Sequence, residues 1–203
     1  MADETRQHRE LAVVAEAATT CTACSLYERA TQVVFGEGSA PADVMVVGEQ
    51  PGDREDRAGR PFVGPAGRVL DEGLALAGLD RSAIYVSNAV KHFKWKERGK
   101  RRIHERPDVG EVNACVPWLE REIELVQPRM VVAMGATAVR SLLGRSATIG
   151  SLRGVRQTSR FGIPMVVTVH PSAIVRLRDR DERQAALEAF ANDLRLATAR
   201  LGD

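Results

Sequence analysis

An α/β fold, with a parallel sheet covered by helices on both faces, is what the sequence predicts, and three observations carry that expectation. Short apolar runs rich in Val and Met recur at 44–47, 84–86, 130–134 and 165–169. Helix-like patterns lie between and after them, at 66–77, 109–126, 136–143 and 181–201. Gly48 and Gly135 close two of the runs at their C-terminal ends. Runs this short do not make helices, and unbroken apolarity marks strands buried on both faces. Strands alternating with helices imply a parallel sheet with helices on either side.

The 203 residues suit one domain, spanning 1–203, with its own core. Lys and Arg total 29 against 27 Asp and Glu, so the net charge of +2 says nothing about nucleic acid. Only a local cluster of charge could. No apolar run approaches the roughly 20 residues that span a bilayer. Residues 1–10 are polar and hold no apolar signal region, so a soluble, cytoplasmic protein is expected. Three cysteines, Cys21, Cys24 and Cys115, are too few and too odd in number for a disulfide scaffold.

Ligands of open parallel sheets bind outside the carboxyl ends of the strands. The segments to inspect are therefore 48–64, 87–106, 135–137 and 170–176. The first opens Gly48-Glu49-Gln50-Pro51-Gly52 and runs on to Pro61-Phe62-Val63-Gly64-Pro65-Ala66-Gly67, with acids at 49, 53, 55 and 56. A loop of this kind brings backbone amides near a ligand, or it is a solvated turn. Phe62 is either core or a flat face for a base. Asn88 follows a strand, where its amide suits the edge of a nucleobase as well as a turn. Residues 91–106 hold eight Lys or Arg, two acids, Phe93 and Trp95, and include Lys100-Arg101-Arg102-Ile103-His104. Cations neutralise phosphates and rings stack on exposed bases, so a basic loop with aromatics favours nucleic acid. His170-Pro171-Ser172 follows the last strand, where Pro171 keeps His170 out of helical geometry. Cys21 and Cys24 form a C-x-x-C pair that serves zinc, an iron–sulfur cluster or a redox couple. With Cys115 they make three thiols, and a fourth ligand must come from His or Asp; His92 is the candidate because it precedes Cys115 on the 87–92 segment.

Taken together and in order, these segments resemble the uracil-DNA glycosylase superfamily, in particular its iron–sulfur branch of the UdgX type. The resemblance runs from Cys21 to the final helix. Gly48-Glu49-Gln50-Pro51-Gly52 is similar to the family's first active-site motif, and His170-Pro171-Ser172 to its second. It implies a three-layer α/β/α fold around a central four-stranded parallel sheet. It also implies a 4Fe–4S cluster held by Cys21, Cys24, His92 and Cys115, with His92 standing where the iron–sulfur branch usually has cysteine. Phe62 is implied to stack on an extruded uracil, Asn88 to read its edge, and His170 to face the carbonyl that gains charge. Glu49 and Gln50 occupy the catalytic loop, and Gln50 also touches uracil. Lys100, Arg101, Arg102 and Ser172 are implied DNA contacts, and His104 is implied to bond to the DNA sugar once uracil leaves.

The expected activity is uracil excision from DNA by a monomer, with single strands preferred, uracil as product, and His104 trapping the enzyme on the abasic sugar. Two alternatives accompany it: a hydrolytic glycosylase with turnover, in which His104 only touches DNA, and a non-catalytic iron–sulfur protein that binds nucleic acid.

Overall fold

Val44–Gly48 and Met130–Met134 are buried at every position and pair with each other in parallel, as their unbroken apolarity requires. The computed structural model of the chain describes residues 2–199. Its helices are α1 (Ala2–Ala18), α2 (Asp53–Ala58), α3 (Pro65–Ala77), α4 (Val109–Val126), α5 (Ala136–Leu143), α6 (Ile149–Leu152), α7 (Pro171–Val175) and α8 (Arg180–Ala199). Its strands are β1 (Glu37–Gly38), β2 (Val44–Gly48), β3 (Tyr85–Asn88), β4 (Trp95–Arg98), β5 (Arg101–His104), β6 (Met130–Met134), β7 (Gln157–Thr158) and β8 (Pro164–Thr168). The last helix was expected to reach Leu201; residues 200 and 201 lie outside the described residues.

Successive strand residues face opposite ways, and that sets the layers. Met45, Val47, Val131, Ala133 and Val167 pack beneath Leu11 of α1, Leu119 and Ile123 of α4, and Val139 and Leu142 of α5. Val44, Val46, Val132, Met134 and Val166 pack against Leu70 and Leu74 of α3 and Leu187, Phe190 and Leu194 of α8. The α/β expectation therefore holds, but the sheet is six-stranded and mixed, in the order β1-β3-β2-β6-β8-β7. The expected count of four omits β1 and β7, which pair antiparallel at the two edges. Each edge strand has two residues, too few to show a pattern.

The order of the inner strands creates the crevice. From β2 the chain passes to β3 on one side and then to β6 on the other. Helices leaving the C-terminal ends of β2 and β6 thus diverge, and a ligand site opens between them.

Residues 91–106 are not a plain loop. They hold a hairpin, β4 and β5, in which Trp95 lies opposite His104 and Arg98 opposite Arg101. Gly99 and Lys100 make the two-residue turn, and Gly99 takes the positive φ of 61° that such turns demand of their first central residue. The hairpin strands are polar on both faces, so no alternation betrays them in the sequence. No helix of the described residues is long and apolar enough to cross a membrane.

Candidate active site

The C-terminal ends of β2, β3, β6 and β8 surround a cleft of about 840 Å³, lined by Glu49, Gln50, Phe62, Asn88, His104 and His170 among others. Six residues from three of the four strand-end segments thus meet at the switch point. Ser172 also lines the cleft. Lys100 and Arg101 do not; they stand at or beside the tip of the hairpin, exposed to solvent.

Glu49 is the hub. It leaves β2, and its Oε2 accepts a 2.7 Å hydrogen bond from Thr137 Oγ1 at the start of α5. Its Oε1 lies 3.1 Å from His104 Nε2 at the end of β5. Burial alone would push the Glu49 carboxyl up, but the hydrogen bonds from His104 and Thr137 bring it below the ordinary range. The acid is therefore ionised at neutral pH, and one carboxylate oxygen is reserved for each partner.

His170 is set from behind. Its Nδ1 accepts from the Ser172 backbone N–H at 3.2 Å, with Ser172 Oγ at 2.9 Å, which caps α7. A backbone N–H only donates, so Nδ1 carries the lone pair and the ring proton sits on Nε2. Nε2 is buried and has no hydrogen-bond partner among the described residues. Burial lowers the His170 pKa to about 4, against which the nearby Glu49 charge works only partly. A neutral imidazole thus presents an N–H donor to the cleft.

The floor is Phe62 and Asn88. Phe62 is held at a φ of 55°, left-handed for a non-glycine residue, with its ring centroid 6.2 Å from that of His170. Gly48 permits this approach: a Cβ there would stand 2.5 Å from both Phe62 Cζ and Asn88 Oδ1. Asn88 belongs to β3 itself, not to a following turn, and its Oδ1 is buried without a partner among the described residues. Orphaned buried polar atoms are uncommon in folded proteins. Here two of them, on Asn88 and His170, lie in one cleft.

Behind Asn88 the end of β3 is clamped. Lys91 Nζ donates to the Asn88 carbonyl at 2.7 Å and to Ser87 Oγ at 2.8 Å, and pairs with Glu122 of α4 at 2.5 Å. Glu122 is wholly buried and also accepts from Ser87 Oγ, Tyr85 OH and the Gly36 amide.

Gln50 and Arg102 make contacts within the protein that the sequence did not imply. The side-chain amide of Gln50 accepts from the Lys94 N–H at 3.0 Å and donates to the carbonyls of Lys94 and Glu105, at 3.2 and 2.9 Å. It ties the base of the hairpin to the β2 loop. Arg102 reaches Asp53 at 2.5 Å and Asp56 at 2.6 Å on α2, and Thr31 at 3.1 Å. It latches the hairpin to α2 and is not free at the tip. The aromatics are occupied as well. Phe93 is buried, and Trp95 has Arg29 and Arg102 stacked 4.4 and 5.4 Å from its ring centre.

Thr137 was missed by sequence reasoning, although the 135–137 segment was flagged as a strand end. A lone threonine carries no motif, and only the fold brings it to Glu49. Arg54, Arg106 and Arg176 line the cleft too. Each is a single cation outside the 91–106 cluster or at its edge, so charge clustering passes them over.

The cysteines lie apart from the cleft. Cys115 packs with Leu26, Val90 and Val112, and Cys24 lies against that cluster. The Lys91 amide approaches Cys115 Sγ at 3.5 Å, and Trp118 Nε1 donates to Cys21 Sγ at 3.2 Å. None of the three is in a disulfide. Burial pushes the Cys115 thiol up to about 11 and raises Cys24 too, while it lowers His92 and keeps that ring neutral. His92 Nδ1 is buried with no hydrogen-bond partner among the described residues. Among the described residues no three His, Cys, Asp or Glu side chains converge on one point where a single ion would sit. Thiols with a neutral, orphaned imidazole fit a sulfur-rich cluster by donor type.

An α/β frame that gathers an acid, two histidines and an asparagine at its switch point defines a small-ligand site of the doubly wound kind. Comparison with known proteins agrees with that class and narrows it. Residues 35–195 match the Uracil DNA glycosylase superfamily. The chain is 37% identical over 177 residues to a type-4 uracil-DNA glycosylase of Thermotoga maritima, covering 87% of this chain and 88% of that one. A type-4 enzyme of Pyrobaculum aerophilum is 37% identical over 163 residues, 77% of this chain and 80% of its own. A type-5 uracil-DNA glycosylase of the same organism is 31% identical over 181 residues, 81% and 75% of the two chains. The chain belongs to the uracil-DNA glycosylase superfamily.

Proposed function

We propose that the chain excises uracil from DNA and then bonds to the resulting abasic sugar through His104. The observation that carries the reading is the 3.1 Å approach of His104 Nε2 to Glu49 Oε1 in a cleft that also holds the unpartnered Nε2 of His170.

A base inside a stack is out of reach, so the nucleotide is extruded, and single strands cost least to open. They are the preferred substrate for a protein acting as a monomer. Phe62 stacks on the entering uracil, and Asn88 Oδ1 accepts from its edge. The bond between the sugar C1′ and the base then breaks, and its electron pair passes to uracil. Two charges develop. The neutral His170 Nε2–H and the backbone beside Gln50 donate to the uracil anion, as preorganised donors do. The Glu49 carboxylate favours the electron-poor sugar.

The lone pair of His104 forms the new bond to C1′, and its N–H proton is held by Glu49. No external oxidant or base is needed. The product joins protein to DNA, so each molecule acts once. Lys100 and Arg101 face phosphates, Ser172 fixes His170 and borders the strand, and Arg102 keeps the hairpin in register with α2. Cys21, Cys24, His92 and Cys115 would hold a 4Fe–4S cluster, which when bound supplies a cross-link between the segments that carry them.

The test mixes the protein with a uracil-containing single strand and resolves the products on a denaturing gel. A slow band, lost in His104→Ser while uracil release persists, is the expected result. Uracil release over many turnovers with no slow band would establish the hydrolytic reading instead. No release at all, in a protein that still binds the strand, would leave a non-catalytic binder.

A further inference from the structure

A groove of about 310 Å³ runs beside the cleft and shares Arg106 and Ala136 with it. Away from the cleft its wall carries Arg140 and Ser146. Arg140 is half-buried and donates to Ser146 Oγ, and among the described residues it has no carboxylate partner. Arg106 is 3.7 Å from its nearest carboxylate, Glu49, outside hydrogen-bond reach. The single acid of the lining, Asp108, is committed elsewhere. Its Oδ1 accepts from the Glu111 amide at 3.0 Å as the cap of α4, and its Oδ2 lies 3.4 Å from Lys94 Nζ. Val109, which is 46% exposed, adds an apolar wall next to Pro107.

Two guanidinium groups with spare donors, an apolar wall and a channel open to the reaction cleft form a site for a sugar–phosphate. A planar guanidinium matches phosphate oxygens in pairs. We propose that this groove holds the nucleotide next to the one whose base enters the cleft, with Arg140 donating to its phosphate and Arg106 bridging groove and cleft. The inference rests on reading the cleft as the uracil site in DNA. It assigns Arg140, a residue outside the basic run and outside both motifs, to substrate binding. A strand held on both sides of the extruded nucleotide cannot close the gap left by the base, which favours the open, extruded state.

The experiment uses the full chain and a single-stranded oligonucleotide with a central tetrahydrofuran residue, a stable stand-in for the abasic sugar. Fluorescence anisotropy gives Kd as a function of salt for wild type, Arg140→Gln and Arg140→Lys. Each phosphate neutralised on a single strand contributes about 0.7 to the slope of log Kd on log salt. Arg140→Gln is expected to weaken binding about five- to tenfold and to lower the slope by about that amount. Arg140→Lys, which keeps the charge, retains the wild-type slope and shows that the position tolerates change.

A second series replaces one phosphate at a time by a neutral methylphosphonate. At one position flanking the tetrahydrofuran the wild type and Arg140→Gln should bind equally. A wild-type slope in Arg140→Gln, or a deficit that is the same at every methylphosphonate position, would overturn the proposal. Uracil release by the wild type is measured in parallel on a uracil oligonucleotide. Its absence would remove the excision reading, whereas the binding cycle alone decides the groove.

Discussion

Thr137 donates to Glu49 across the switch point, 2.7 Å from hydroxyl to Oε2, and so joins the start of α5 to the loop after β2. By occupying Oε2 it leaves Oε1 for His104. Thr137→Val keeps the shape and removes the donor. A hydrogen bond to a charged group is worth about 1.5–3 kcal/mol, and part of that is lost when the carboxylate turns. The single-turnover rate of uracil release should fall about tenfold, with KM little changed, and Thr137→Ser should restore most of the rate. Equal rates in Thr137→Val and wild type would show that Glu49 needs no anchor.

On the proposed mechanism, His170 sets the acid limit of uracil release. Its pKa of about 4 lies well below the ordinary 6.5 because the ring is buried. Between those values the unfolded chain binds a proton that the folded chain refuses, so stability from this group is full above 6.5 and falls as the pH drops toward 4. Over the same window the folded ring stays a neutral N–H donor, and Glu49, also lowered, stays charged. Uracil release measured at single turnover should therefore hold level from neutral pH down to about 5, then decline. A midpoint near 6.5 would mean that the ring is protonated like an exposed histidine. His170→Ala should cost on the order of a hundred- to a thousandfold in rate by removing the donor.

The latch between hairpin and α2 gives a separable effect. Arg102 spans Asp53 and Asp56 with a side chain only 14% exposed, and a lysine has no fork with which to do so. His104 follows it on β5, two residues on, and depends on that register. Arg102→Lys should lower adduct formation about tenfold or more while base release, which the proposed mechanism assigns to His170 and Asn88, changes little. Quantifying the slow band and free uracil from the same reaction checks this. A parallel loss of both would place Arg102 in base release as well.

The parts of this fold that the sequence made legible are those where one physical signal dominates. Unbroken apolarity at 44–47 and 130–134 marked the two central strands, and the helical pattern at 109–126 coincides with α4. Strand ends then pointed to Glu49, Asn88 and His170, which the structure brings into one cleft. What stayed hidden is where signals compete. The acids at 53, 55 and 56 look like a solvated turn, yet they open α2, and Asp56 is fully buried because Arg102 and Thr31 neutralise and bond it. The run 91–106 reads as charge, and charge conceals the hairpin. Its most buried cation, Lys91, belongs to the core rather than to DNA. Among its described side chains helix α1 fully buries only Gln7, Leu11 and Ala18, so no apolar stripe announced it.

That buried lysine supports a last prediction, on stability. Lys91 and Glu122 have side chains 1% and 0% exposed, and the carboxylate also serves Ser87, Tyr85 and the Gly36 amide. Breaking a buried pair from one side leaves an unpaired charge and costs about 3–5 kcal/mol. Glu122→Ala strands the Lys91 ammonium and three further donors at once. Its Tm should drop on the order of 10 °C for a chain of this length, measured by circular dichroism. Lys91→Met strands the carboxylate instead, but Ser87, Tyr85 and Gly36 still donate to it, so the loss should be smaller. Because Lys91 also holds the Asn88 carbonyl at 2.7 Å, that variant should release uracil more slowly even at a temperature where it is fully folded. If Lys91→Met lost stability alone, with the rate intact at saturating substrate, the clamp behind Asn88 would be a prop for the fold and nothing more.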